Sequence, residues 1–471
     1  MANGTQDAPA ARWWESLSFV QIFRSFGLAL DWLKMGLALA GIVLTFGFGR
    51  LLDWAWVRAG NGVSANAPWV QLDTHAPTSS GTHGVFEAWR SFEGACLDGV
   101  LSSARQGVII GSLEAYTVPR VGIPANLAEA LALAPHVGVI PNIIDMARGV
   151  GWVFRYHILH AILFFGGFLL IWSLLGGAIC RVSAVQFARN EKLTFGQALG
   201  FARSKWLNGF FLAPLLPLGG LALIALCLWI GGVVLAIPYL GDILGGLLFF
   251  LAIIGGILIA LGLIGLVAGG SLFWPTIAAE GSDSFDAASR SYSYVYSRPV
   301  RLLFYALVAI IFGAFVFLFV AFVAWLSLAV THAIVGAGMW RRSLDHIWTL
   351  GSMNQLHGGS DPNLGYPSKI SWFLIGLWVL LVAALVWSFL VSYYFSASTI
   401  IYFLLRREVD ATDLEDVYLD KLEEEITPAP AAPPAPTAPT GSMPLPVIGG
   451  EPVSAPSPAE PSASSEPASP H

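Results

Sequence analysis

Charge is what this chain is short of. Of its 471 residues only 11% are Asp, Glu, Lys or Arg, less than half of the ~25% usual in soluble globular domains. No basic patch or basic domain points to nucleic acid. Cysteine is scarce too: of Cys96, Cys180 and Cys227, only Cys96 falls outside an apolar stretch or its border, so the exposed loop has no disulfide framework. No phosphate loop, G-x-G-x-x-G, H-E-x-x-H, G-x-S-x-G or C-x-x-C occurs. No carboxylate pair is placed for hydrolysis. The sequence reads as a non-enzyme, and no cofactor is expected.

What is present is apolar length: 56% of residues are hydrophobic. Six stretches, at about 33–54, 153–175, 217–237, 243–269, 302–330 and 372–396, each supply roughly 20 or more residues, enough at ~1.5 Å per residue to cross a ~30 Å hydrocarbon core. Helices are required there, because the core holds no water to satisfy exposed backbone groups. The expected fold class is an all-α polytopic membrane protein with six transmembrane helices. Trp32, Trp54, Trp152, Trp274, Trp340 and Trp372 mark interfaces. An A-x-A pattern at Ala65 and Ala67 lies well past the first apolar core, which reads as a retained span.

Lys and Arg in the short loops set the orientation. Arg12, Arg24 and Lys34 precede span one; Arg181, Arg189, Lys192, Arg203 and Lys205 lie between spans two and three. Arg290, Arg298 and Arg301 lie between spans four and five, and Arg406 and Arg407 follow span six. Six spans put all of these on one side, against Arg341, Arg342 and Lys369 on the other. The balance places both termini in the cytoplasm of a bacterial inner membrane. The chain divides into a cytoplasmic N-terminus with an interfacial helix (1–32), a first span (33–56), an extracytoplasmic helical loop (57–152) and a five-span region (153–405). An acidic cytoplasmic helix (406–426) and a Pro/Ala/Ser-rich tail (427–471) follow.

Two cytoplasmic approaches share a pattern, S-F-x4-R-S-aromatic: Ser18, Phe19, Arg24, Ser25 and Phe26 before span one, and Ser284, Phe285, Arg290, Ser291 and Tyr292 before span five. A looser version starts at Thr194 and Phe195 before span three. Each opens on a Ser or Thr suited to N-capping and alternates apolar with polar residues at helical spacing. Such segments would lie on the inner surface with arginines toward lipid phosphates, giving three units of one interfacial helix and two spans.

In the long loop, Val85, Phe86, Trp89, Phe92, Cys96, Leu97, Val100 and Leu101 form one apolar face at i, i+3, i+4 spacing. A weaker helical run covers 126–134. After span six, Thr412 and Glu415 form a capping box opening a short helix to about Glu425. Residues 427–471 hold 14 of the 28 prolines, too little apolar surface for a core; the tail reads as disordered, or as a docking arm for a cytoplasmic partner.

Candidate chemistry is sparse. His157 and His160 stand at i, i+3 on span two and His332 near the end of span five, a weak metal set against ordinary hydrogen-bonding histidines. Ser388, Ser392 and Ser396 form a hydroxyl stripe on span six that packs helices or lines a polar path. Gly241 with Gly245 and Gly265 with Gly269 give the same small-residue packing signal, and Pro214 and Pro217 delay the start of span three. The span interiors carry almost no ionisable groups, against ion-coupled transport.

The runs at 176–199, 278–299 and 396–419 resemble uncharacterised multi-pass membrane proteins of planctomycete-type bacteria. More distantly, the helix-span-span pattern is similar to the membrane domain of glycerophosphodiester phosphodiesterases, whose catalytic motifs are absent here. The resemblance implies topology and no activity. The expectation is a non-catalytic integral inner-membrane protein that organises or recruits partners at the cytoplasmic membrane, or alternatively a permease or lipid-handling membrane component. Its expected partners are membrane lipids and a cytoplasmic protein held by the tail.

Overall fold

The structure is a computed structural model that describes residues 18–64, 82–111, 138–339, 344–351 and 365–419. The expected helix at 126–134 and the tail at 427–471 lie outside these residues, as does all of the C-terminal unit, 424–471. The larger unit, 1–423, holds everything that follows.

Its elements are helical, apart from a two-residue antiparallel ladder joining Val63–Ser64 (β1) to Thr82–His83 (β2). In chain order the helices are a 3-10 turn Ser18–Phe23, α1 (Arg24–Ala29), α2 (Trp32–Arg58), α3 (Val85–Arg105), α4 (Val139–Tyr156), α5 (Ile158–Arg189) and α6 (Phe195–Ser204). A π-helical turn Trp206–Phe211 leads into α7 (Leu212–Leu235). Then come α8 (Leu240–Gly269), a 3-10 turn Gly270–Leu272, α9 (Phe273–Glu280), α10 (Ser284–Ser297), α11 (Pro299–Gly338) and α12 (Tyr366–Asp410). Among the described residues, six helical stretches are long and apolar enough to cross a membrane: Trp32–Arg58, Ile158–Arg189, Trp206–Leu235, Gly245–Glu280, Pro299–Gly338 and Tyr366–Asp410.

Several boundaries move for identifiable reasons. Span two does not begin at residue 153, because the helix breaks at His157 and the preceding turns belong to α4, which packs on α3. Span three runs through Pro217 instead of starting there. The expected acidic helix is absent from its described part. Residues 406–410 continue span six, Ala411 is left-handed, and 411–419 are irregular. Tertiary bonds outcompete the capping box there: Tyr418 N–H donates to Ala279 O at 2.8 Å, Arg406 donates to Asp416 at 2.9 Å, and Val417 is buried.

The core forms around α5 and α12, which bury Ile179, Cys180, Phe389 and Tyr402 completely or nearly so. The N-terminal segment is wedged into it, with Ile22 and Ala29 fully buried. Phe19, Phe23 and Phe26 stack edge-on against Phe304, Phe312 and Phe389. At its start Ser18 bonds the Tyr305 hydroxyl at 2.7 Å, and the same hydroxyl donates to Glu408 near the end of α12. The start of the described chain and the end of the last span therefore meet at one end of the bundle, and the α3–α4 cap sits at the other. Two neighbours press close on α8: a Cβ on Gly245 would lie 1.7 Å from Leu235 Cδ1 of α7, and one on Gly265 would lie 2.4 Å from the Tyr292 ring of α10. The small-residue packing signal has this meaning.

Candidate functional site: an apolar groove

The charged residues that sequence position assigned to the water are partly inside. Lys34 and Arg181 are fully buried. Lys34 donates to Gln186 Oε1 at 2.8 Å and to Ser183 Oγ at 3.4 Å, and Gln186 in turn donates to Asp31. Asp31 also caps α2, accepting from Leu33 N–H at 2.8 Å. Arg181 donates to Ala278 O at 2.8 Å and lies 4.2 Å from the Phe201 ring. A second cluster closes the same end: Glu280 accepts from Tyr402 at 2.5 Å and pairs with Arg290 and Arg406 at 3.1 Å each.

These clusters re-assign the repeated motif. Its arginines also have partners within the protein: Arg24 lies 4.8 Å from the Phe187 ring, and Arg290 is held by Glu280 and Asp286. Phe19 packs on Phe304, whereas Phe285 is 71% exposed. Capping also differs among the copies. Thr194 builds a full capping box with Gln197, α10 is capped by Asp283 rather than Ser284, and Ser18 is drawn to Tyr305. The serines that the two copies share inside the motif, Ser25 and Ser291, are both fully buried.

The hydroxyl stripe of α12 is spent on packing. Ser388 donates to Ala384 O, Ser392 donates to Ala29 O at 2.9 Å, and Ser396 pairs with Ser183 at 3.1 Å. The histidines separate into two places. His160 is buried with its Nε2 3.5 Å from Asp53 and its ring against Trp56, and the His157 ring packs on Trp152. His332 instead pairs with Asp345 at 3.1 Å and packs on Trp348. No group of three or more metal-ligating side chains is assembled among the described residues.

The α3–α4 cap is fixed to the bundle by Asp53. Its two carboxylate oxygens accept from the backbone N–H of Phe86 (2.8 Å) and Glu87 (2.9 Å), in the first turn of α3. Gly84 is required beside it, since a Cβ there would fall 2.1 Å from Asp53 Cγ. Within the cap, burial pushes the Glu93 carboxyl up to about 7, and the Cys96 thiol up to about 12. That holds Cys96 as an unreactive thiol.

This docking places the start of α3 over a groove of about 840 Å³ between the spans, well within the ~300–1,000 Å³ of small-molecule sites. Its wall is apolar: Phe46 of α2, Phe86 of α3, Trp172 of α5, Trp274 of α9 and Tyr394 of α12 contribute. Both indole N–H groups are already used, Trp172 on Thr45 Oγ1 at 3.1 Å and Trp274 on Phe210 O at 2.8 Å. The single charged side chain lining it is Arg90, exposed on α3 and 5.8 Å from the Phe46 ring. Arg50 lies 5.5 Å from the same Phe46 ring and pairs with Glu87 at 3.2 Å. A second cavity of about 450 Å³ adjoins, sharing Ser271, Leu390 and Tyr394 with the first. A third, of about 810 Å³ and mixed polarity, lies at the opposite end by Arg24, Asp31, Gln186 and Lys192. Sequence reading missed the groove because its walls come from separate helices.

No protein-family model, curated protein or solved structure matches the chain.

Proposed function

We propose that this is a lipid-handling component of the bacterial cytoplasmic membrane, binding a lipid with its tail in the groove and its head at Arg90. The observation that carries this is the groove itself. An apolar channel of about 840 Å³ set among membrane-spanning helices suits hydrocarbon, and an arginine at its mouth suits an anionic headgroup. Its lining holds the hydroxyls of Thr45, Ser271 and Tyr394 but no carboxylate, imidazole or thiol beside them, which fits a binding or transfer role better than catalysis. Both termini are read as cytoplasmic and the α3–α4 cap as extracytoplasmic, on the Lys and Arg distribution. Three units of short helix and two spans are the proposed organisation.

Val391→Trp would set an indole inside the groove. Native mass spectrometry from mild detergent should then show at least one fewer bound lipid per chain than the unaltered protein. An unchanged lipid count in a folded variant overturns the proposal.

A second reading concerns the tail. Its 14 prolines favour extended polyproline conformations that dock partners at low entropic cost, and the chain would then recruit a cytoplasmic protein. A partner that co-purifies with the full chain but not with one ending at Ile426 supports this; identical co-purification excludes it.

A further inference from the structure

We infer that the lipid held in this groove is a single-headed, long-chain lipid phosphate of the polyprenyl class rather than an ordinary phospholipid. This rests on the lipid-binding reading above and specifies its occupant. The groove adjoins the second cavity, and Ser271, Leu390 and Tyr394 line both, so a chain that passes these three side chains enters the second cavity. From there the second cavity follows α12 to Ile401 and α11 back to Ala306, toward the end of the bundle where Ser18 and Glu408 meet at Tyr305.

Leu390 to Ile401 covers eleven helical rises, roughly 16 Å, about half of a ~30 Å hydrocarbon core. A phospholipid tail anchored by its headgroup at one interface reaches only about the midplane. A track that begins near Arg90 and continues a further ~16 Å past Leu390 fits a longer chain.

Charge places the anionic head at the cap end. Arg90 has no acidic partner among the described residues, its one recorded contact of this kind being the Phe46 ring. The second cavity is lined by no ionisable residue other than Tyr393 and Tyr394, and Tyr393 already donates to Ala309 O at 2.7 Å. An anion is therefore matched at the cap end alone, and hydrocarbon over the rest. Alanines and Gly313 on α11 leave the second cavity open for a methyl-branched chain. A Cβ at Gly313 would meet the Tyr393 ring at 2.5 Å, which keeps that position small.

The test compares undecaprenyl phosphate, geranylgeranyl phosphate and phosphatidylglycerol on the full chain in nanodiscs, with affinities read by native mass spectrometry. Undecaprenyl phosphate should bind about tenfold more tightly than either of the others. Ala314→Trp, at an exposed position of the second cavity, should erase that preference while leaving the shorter lipids unaffected. Arg90→Gln should weaken all three by about tenfold, the scale of one charge-assisted hydrogen bond. Equal binding of the three lipids, unchanged by Ala314→Trp but lost in Val391→Trp, would overturn the long-chain assignment and leave the lipid groove standing. Binding indifferent to Val391→Trp would remove the groove reading as well.

Discussion

Replacing Asp53 with Ala should release the cap from the bundle. Asp53 is 6% exposed and accepts two backbone N–H groups in the first turn of α3, at 2.8 and 2.9 Å. Hydrogen bonds to a charged group are worth ~1.5–3 kcal/mol each, and the loss leaves at least the Phe86 N–H buried without an acceptor. Water reaches Glu87, which recovers part of its share, so the net loss is ~3 kcal/mol, somewhat above a typical N-cap. The neighbouring Arg50–Glu87 pair is 44% and 35% exposed and contributes under ~1 kcal/mol. Hydrogen exchange read by mass spectrometry separates the two. Peptides from 86–105 should exchange about a hundredfold faster in Asp53→Ala, with α5 and α12 unchanged, and less than fivefold faster in Arg50→Gln. Asp53→Asn, which keeps one acceptor oxygen, should fall between. If Asp53→Ala and Arg50→Gln act alike, the cap is held by surface charge and the argument from the buried carboxylate fails.

Gln186→Leu strips the buried Lys34 amino group of its 2.8 Å acceptor and should cost ~1–3 kcal/mol in denaturant unfolding, the cost of a buried donor left short of a partner. Adding Lys34→Met should recover most of it; a double variant as unstable as the single one refutes the assignment. Glu280→Ala removes the acceptor shared by Tyr402, Arg290 and Arg406 and should cost ~3–5 kcal/mol, seen as a lower unfolding midpoint; a shift worth under ~1 kcal/mol would show that the cluster is solvent-screened. Burial raises the Glu93 carboxyl from its ordinary range to about 7, so the folded cap binds a proton that the unfolded chain releases earlier. Cap stability should therefore fall as pH rises from about 4.5 to about 7 and level off above. Exchange across α3 and α4 should follow that slope and lose it in Glu93→Gln; a slope of the opposite sign excludes the buried carboxyl as its source.

Hydropathy alone located the six spans, since 20 apolar residues in lipid have one backbone solution. The i, i+3, i+4 face from Val85 to Leu101 located α3 equally well. What local pattern could not show was which span-end residues turn inward. Lys34 and Arg181 carried the positive-inside signal, yet both are buried by helices far away in sequence. Thr412 and Glu415 matched a capping box, but the backbone there is claimed by Ala279 and Arg406. The serine stripe was visible as a stripe, and its partners Ala29 and Ser183 were not. The groove was the least legible feature, because no two of its aromatic walls, from Phe46 to Tyr394, share a sequence window apart from neighbours on one helix.

Tyr305 joins Ser18, the first described residue, to Glu408 near the end of the last span. A ribosome making this protein releases Ser18 long before its partner, 287 residues later, exists. Until α11 and α12 enter the membrane, the N-terminal wedge has no seat, and Ile22, Ser25 and Ala29 have no burial. The early spans must wait in a half-built state, with Lys34 short of its Ser183–Ser396 neighbourhood until the last helix arrives. Biogenesis is thus closed by the final span, and truncations before it should be cleared by membrane quality control even though most of the hydrophobic length has already been inserted.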